Sequence, residues 1–91
     1  MRAKKIPKQP LPKPDETLDA LGLFCPVPVW EAAKHIIEMK PGQVLELLSD
    51  DEGITEDMPA WCRRTGHLLL AIEEDAEDAG VYHVYVRKAG K

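Results

Sequence analysis

Leu18-Asp19-Ala20-Leu21-Gly22-Leu23-Phe24-Cys25-Pro26-Val27-Pro28-Val29 is the stretch on which the fold turns. It joins a strand-like run, Thr17 to Leu21, to an amphipathic run, Val29 to Lys40, and so sets one thiol at a helix N-terminus. Backbone N–H groups without intrahelical partners face such a position and the helix dipole adds partial positive charge, so both favour thiolate over thiol. Pro26 and Pro28 suit a first helical turn, because proline presets helical φ and lacks the N–H that would be orphaned there. Gly22 supplies a permissive backbone where the strand turns into the loop. A Cys-X-X-Cys switch would need a second thiol at position 28, which is Pro28, so no dithiol closes within this motif. Cys25 is the candidate reactive residue, and it must react with a sulfur on another molecule.

Outward from this stretch the pattern predicts the order β-α-β-α-β-β. In the first helix Val29, Ala33, Ile36 and Ile37 define a buried stripe, with Glu31, Lys34 and Glu38 facing water and Pro41-Gly42 ending the helix. Val44 to Ser49 reads as a central strand with Leu45 and Leu47 toward the helices. Ile54, Met58, Trp61, Cys62 and Thr65 mark a second helix ending at Gly66, a C-terminal cap. Pro59 removes a backbone donor, which places the start of regular helix near Asp57, after an irregular segment from Gly53 to Glu56. Leu68, Leu70 and Ile72 alternate as a strand, and Val81 to Lys88 pairs with it as a hairpin across the acidic loop Glu73 to Gly80. Four strands and two helices predict an α/β (α+β) two-layer sandwich: a four-stranded mixed sheet with both helices on one face.

The chain has 91 residues and 44% hydrophobic content, enough for one small domain. No run reaches the roughly 18 apolar residues of a membrane span, and the basic N-terminus has no apolar segment of a signal peptide. Two cysteines far apart in sequence are not a disulfide framework. The expectation is a cytoplasmic protein with reduced thiols and no membrane association. Residues 1–14 hold Arg2, Lys4, Lys5, Lys8 and Lys13, no acid, and Pro7, Pro10, Pro12 and Pro14. They read as a disordered basic tail, either a solubilising extension or an electrostatic tether, ahead of a domain over residues 15–91. Of the twelve bases seven then remain against all sixteen acids, so the domain carries a net charge of −9. Such a surface repels polyphosphate, which argues against direct nucleic-acid binding and for a basic protein partner.

The other chemistry-bearing residues read mostly as structure. Cys62 lies on the apolar stripe of the second helix and is expected in the core; the functional alternative is a disulfide or relay with Cys25. His35, His67 and His83 are scattered singly without the close ligand pairs of a zinc site. Asp50-Asp51-Glu52 lacks the spaced acceptors of a calcium loop and reads as an acidic cap or a partner-recognition edge, with Asp50 and Asp51 as candidate partner-binding residues. No metal and no cofactor are expected. Phe24 and Trp30 are large apolar groups beside the thiol; either they finish a small core or they anchor a protein interface, and Phe24 leans to the interface.

Read together, Leu18-Asp19, Leu21-Gly22-Leu23, Cys25-Pro26-Val27-Pro28-Val29, Lys34, Met39-Lys40-Pro41-Gly42, Asp50-Asp51, Asp57-Met58-Pro59 and Gly66-His67 form an ordered series from Asp15 to Lys88. The series resembles the TusA/SirA-like sulfur-carrier family, with its Cys-Pro-X-Pro motif. Phe24 departs from the polar residue often found there in that family, and the basic tail lies outside its pattern. The resemblance implies the same two-layer architecture. It implies a sulfurtransferase-type carrier that takes sulfane sulfur as a Cys25 persulfide and relays it to an acceptor protein, in tRNA thiolation, molybdenum cofactor synthesis or sulfur oxidation. The implied partners are a donor of the cysteine desulfurase or rhodanese type and a thiol acceptor protein, met by a carrier that is a monomer when free. It also leaves His67 either near the reactive loop or in a packing role. The alternative is a non-catalytic regulatory or protein-interaction module in which Cys25 merely caps a helix; RNA binding by the two-layer fold rests on analogy alone.

Overall fold

The computed structural model describes residues 12–24 and 26–90, and runs β1 (Glu16–Asp19), α1 (Val27–Ile37), β2 (Val44–Ser49), α2 (Ile54–Thr65), β3 (Leu68–Glu74) and β4 (Tyr82–Arg87). The four strands form one sheet in the order β1-β2-β4-β3. β1 and β2 are parallel, while β4 lies antiparallel to both β2 and β3. A parallel pair needs a crossover longer than a hairpin, and α1 provides it. The two-layer α+β architecture expected from the sequence is therefore present.

Strand alternation decides which residues meet the helices. Leu45 and Leu47 of β2 face Val86 and Val84 of β4, and all four are 1% exposed or less. Ile36 of α1 and Ile54, Met58 and Cys62 of α2 complete one core over that face. β2 has the bounds that the sequence predicts and is an inner strand.

Four local expectations are corrected. α1 covers Val27–Ile37 rather than 29–40, and its buried side is Pro28, Val29, Ala32 and Ile36. Ile37, expected on that stripe, is 73% exposed. The helix stops there, the buried apolar role passes to Met39, and Lys88 Nζ donates to the carbonyls of Ile37 and Met39 at the helix end. α2 begins at Ile54 rather than near Asp57. Three tight i→i−3 bonds, from Ile54 N–H to Asp51 O, Thr55 N–H to Glu52 O and Glu56 N–H to Gly53 O, wind the first turn. The carbonyl that Pro59 leaves without an i+4 donor belongs to Thr55, which is exposed to water, so the proline costs little there. Thr65 is exposed at the end of this helix, where its hydroxyl donates to Trp61 O; Gly66 follows in the left-handed region at φ +88°, as a C-cap requires. In β3 the pairing slips between Leu69 and Ala71, so Leu69 and Ile72, not Leu68 and Leu70, lie opposite Val86 and Val84. That bulge moves one residue across the sheet and breaks the alternation read from the sequence.

The sheet face away from the helices carries a polar network. Glu46 accepts from Thr17 Oγ1 (3.0 Å) and Tyr85 OH (3.2 Å) and pairs with His83 Nδ1 (2.7 Å), while His83 Nε2 pairs with Asp75 Oδ1 (2.8 Å). One imidazole thus ties the β3–β4 loop to the inner strand β2. Burial works against a charged His83 ring, but the hydrogen bonds and charges of Glu46 and Asp75 outweigh it and raise its pKa. Burial likewise works to raise Glu46, and the bonds from His83, Thr17 and Tyr85 outweigh it and hold the carboxyl below its ordinary value. Asp75 is held at about 2 by His83 and by the N–H groups of Glu77 and Asp78.

A raised histidine stabilises the fold below its unfolded pKa of about 6.5 and loses that contribution as pH climbs through the folded value; depressed carboxylates stabilise above about 4 and lose it on acidification. Urea unfolding should therefore show the network's contribution greatest between about pH 4.5 and 6.5 and declining above it, against the opposite slope from His67, whose pKa is lowered. Glu46→Gln should flatten that decline; an unchanged slope would mean that His83 does not carry it.

Candidate functional site

The loop from β1 to α1 is built by specific bonds. Ala20 N–H donates to Leu48 O (2.9 Å) and ends the pairing of β1; Asp19 Oδ1 then accepts from Leu21 N–H (2.9 Å) in an Asx turn. Gly22 sits at φ +86°, a conformation costly for any residue with a Cβ, and its N–H donates to Asp50 Oδ1 (3.0 Å). The loop from β1 to α1 is in this way fastened to the β2–α2 turn. Leu23 N–H donates to Ala20 O (3.2 Å) and Val27 N–H to Phe24 O (2.9 Å), after which α1 begins with Pro26 as N-cap and Pro28 buried in its first turn. Cys25 itself lies outside the described residues, as do residues 1–11 of the basic tail and Lys91. What frames Cys25 is described: Phe24 before it, Pro26 after it, and the edge of the sheet where β1 and β2 both end.

That frame alters the expected electrostatics. Four N–H groups normally open a helix without partners. Here Pro26 and Pro28 have none, and that of Val27 is already donated to Phe24 O. The helix end acts on an anion chiefly through its dipole rather than through a cradle of donors. The topology also sorts charge. Asp50, Asp51 and Glu52 follow β2, Glu56 and Asp57 occupy the first turn of α2, and the acidic run 73–78 closes β3 to β4, all toward the motif's edge of the sheet. Among the described residues the bases lie elsewhere: Lys34 along α1, Arg63 and Arg64 in the last turn of α2, and Lys13, Lys40, Arg87 and Lys88 toward the opposite edge.

Phe24 (78% exposed) and Trp30 (60% exposed) are not core residues. Trp30 forms one wall of an open groove of about 360 Å³ between α1 and α2, lined also by Pro26, Val29 and Ala33 on one side and by Asp57, Ala60, Trp61 and Arg64 on the other. Asp50 is exposed beyond its bond to Gly22, while Asp51 organises the entry to α2, with Oδ1 accepting Gly53 N–H (2.9 Å). The remaining candidates are structural. Cys62 is 4% exposed and burial pushes its thiol up to about 11, which makes it a poor nucleophile. His67 lies at the far edge, accepting Ala89 N–H (2.9 Å) at Nδ1 with its ring tilted 37° against that of Trp61, and burial followed by the charge of Lys88 lowers its pKa. It has the packing role, away from the loop between β1 and α1. His35 pairs with Glu16 on a helix flank. Among the described residues no group of His, Cys, Asp or Glu could hold a metal ion, and no helix is long and apolar enough to cross a membrane.

Sequence reading missed the Gly22–Asp50 tie, the groove and the His83 network. The first two join residues far apart in the chain, and no periodicity reports them. For the third, a lone His83 alternating with Tyr85 in a strand was the only available signal.

Two comparisons bear on identity. The SirA-like protein of Desulfitobacterium hafniense is similar to this chain at 28% identity, with a TM-score of 0.70 over 81% of this chain and 97% of that one. The model of the family described as sulfurtransferase TusA matches residues 16–88, a span that takes in every described strand and helix and the Cys-Pro-Val-Pro stretch that runs into the first turn of α1. The chain therefore belongs to the TusA family of sulfurtransferases, sulfur carriers that work in relays with other proteins.

Proposed function

We propose that Cys25 is the sulfur-carrying residue and that it works through a persulfide. Its thiolate attacks the terminal sulfur of a donor persulfide; the donor's S–S bond breaks as a new one forms to Cys25, and the donor leaves as a thiolate. An acceptor thiolate repeats the step on the Cys25 persulfide, so sulfur moves without net oxidation or reduction. The observation that carries this reading is the placement of the motif: a family Cys-Pro-X-Pro stretch where a glycine-turned loop, fastened by Asp50, runs into the N-terminus of α1. Gly22, Pro26 and Pro28 hold the loop, and the helix dipole favours the thiolate and the anionic persulfide alike. A cysteine desulfurase or rhodanese is the donor class in this reading, and the acceptor feeds tRNA thiolation, molybdenum cofactor synthesis or sulfur oxidation. The setting is cytoplasmic, residues 15–91 form the carrier domain with the basic tail outside it, and the free carrier is a monomer.

Two observations favour the alternative, a non-catalytic interaction module. The first turn of α1 offers few free donors and the motif's edge is acidic, and both work against a thiolate.

Intact-protein mass spectrometry after incubation with a persulfide donor should show a gain of one sulfur atom on the wild type and on Cys62→Ser, and none on Cys25→Ser. Retention of the gain in Cys25→Ser ends the proposal. Iodoacetamide on the native protein at pH 7.5 should modify Cys25 while sparing Cys62, whose thiol stands near 11. A Cys25 that resists alkylation in the folded state would instead support the interaction module.

A further inference from the structure

The groove between α1 and α2 is unoccupied by the chain's own described side chains, although it opens beside the motif and has two apolar walls. Val29, Trp30 and Ala33 form one wall; Ala60 and Trp61 form the other. Trp30 leaves most of its indole in water, and Phe24, the residue before Cys25, leaves more. Two large apolar groups exposed next to a groove are what the centre of a protein interface presents before its partner arrives. A surface that closes on the apolar groove alone would not select a partner, and the charge around it does. Asp57 lines the groove from the first turn of α2, which also carries Glu56, and the acidic Asp50–Glu52 turn leads into that helix from the same end of the sheet. A second copy of this chain would bring the same carboxylates against these, a like-charge contact that costs affinity. Nucleic acid is excluded on the same ground.

We infer that the groove between α1 and α2 is the docking site for a partner protein that presents a large apolar side chain set among lysines or arginines. The apolar side chain enters between Ala33 and Ala60 and packs on Trp30. The partner's bases meet Asp57, Glu56 and the β2–α2 turn, which brings its sulfur-bearing group to the neighbouring loop. Arg64, at the lower end of the groove, sets the register by repelling a base placed there. This inference rests on the sulfur-carrier reading for its purpose and on the groove alone for its geometry.

The test uses the full chain, isotope-labelled, and a short synthetic peptide with four lysines around a central Leu-Phe pair. Amide shifts should move at Trp30, Ala33, Ala60 and Arg64, and binding should weaken as salt rises. Peptides with glutamates in place of the lysines, or Ser-Ser in place of Leu-Phe, should leave the spectrum unmoved. Trp30→Ala and Ala60→Arg should each weaken the lysine peptide by about fivefold or more; the dispersed spectrum itself reports that each variant is folded. No shifts at millimolar peptide, or shifts confined to the opposite sheet face, overturn the inference. If neutralising Lys4, Lys5 and Lys8 moves the groove signals with no peptide present, the occupant is the chain's own tail. An apparent molar mass from light scattering that climbs toward that of a dimer as protein concentration rises would make it a second copy, and either result also overturns the inference. Because the titration involves no sulfur chemistry, loss of sulfur uptake with peptide binding intact sinks the carrier reading alone, and the converse sinks the docking site alone.

Discussion

The parallel pairing of β1 with β2 is the constraint from which the rest follows. It is pinned at both ends, by Asp15 N–H to Val44 O (2.8 Å) and by Ala20 N–H to Leu48 O (2.9 Å). Parallel strands both point the same way, so the loop that leaves β1 and the loop that leaves β2 emerge at one edge of the sheet. That edge receives the motif, the start of α1, the Asp50–Gly53 turn and the start of α2 together. The tie from Gly22 N–H to Asp50 Oδ1 is possible only because of that shared edge. An antiparallel pair would have put the two turns on opposite sides of the molecule.

From this pairing the helices run side by side from the same edge, and a groove between their exposed flanks is the natural result. α1 buries Val29, Ala32 and Ile36, and α2 buries Ile54, Met58, Trp61 and Cys62, against the same sheet face. Small residues, Ala33 and Ala60, stand where the two flanks approach, and they leave the gap that Trp30 and Trp61 line but do not fill. The core therefore sets both the position of the motif and the shape of the surface beside it. Cys62 belongs to that core by burial, and the same burial raises its pKa.

Legibility in the sequence followed the range of the interaction responsible. β2 was readable to the residue, because a central strand buried on one face writes its own alternation. The cap at Gly66 was readable, since a positive φ narrows the choice of residue. Ile37 misled because an apolar residue on a helical stripe says nothing of where the helix stops, and here Lys88, 51 residues on, closes its end. The β3 bulge was invisible because it is a property of pairing with β4, not of β3. Pro59 was read as a boundary, but it costs a helix only the partner of the carbonyl one turn earlier, and the exposure of Thr55, which carries that carbonyl, is a tertiary fact. The acidity of the domain could be counted, whereas its concentration at the motif's edge could not, because that needs the strand order.

That concentration sets two fields against each other at the motif. The dipole of α1 contributes the equivalent of roughly half a positive charge, worth about 0.3–1 kcal/mol to an anion at its end. A carboxylate about 10 Å away in water opposes the same anion by about 0.4 kcal/mol before screening. Several carboxylates at one edge are therefore of the same size as the dipole and opposite in sign. Salt weakens the distant ones first, with a screening length of about 8–10 Å at physiological ionic strength. A basic surface laid over that edge cancels the carboxylates while leaving the helix dipole in place. In the carrier proposed above, binding and thiolate formation would then reinforce each other through ordinary electrostatics, with no movement of the backbone, and a sulfur anion would be favoured most where a partner is present to give or take it.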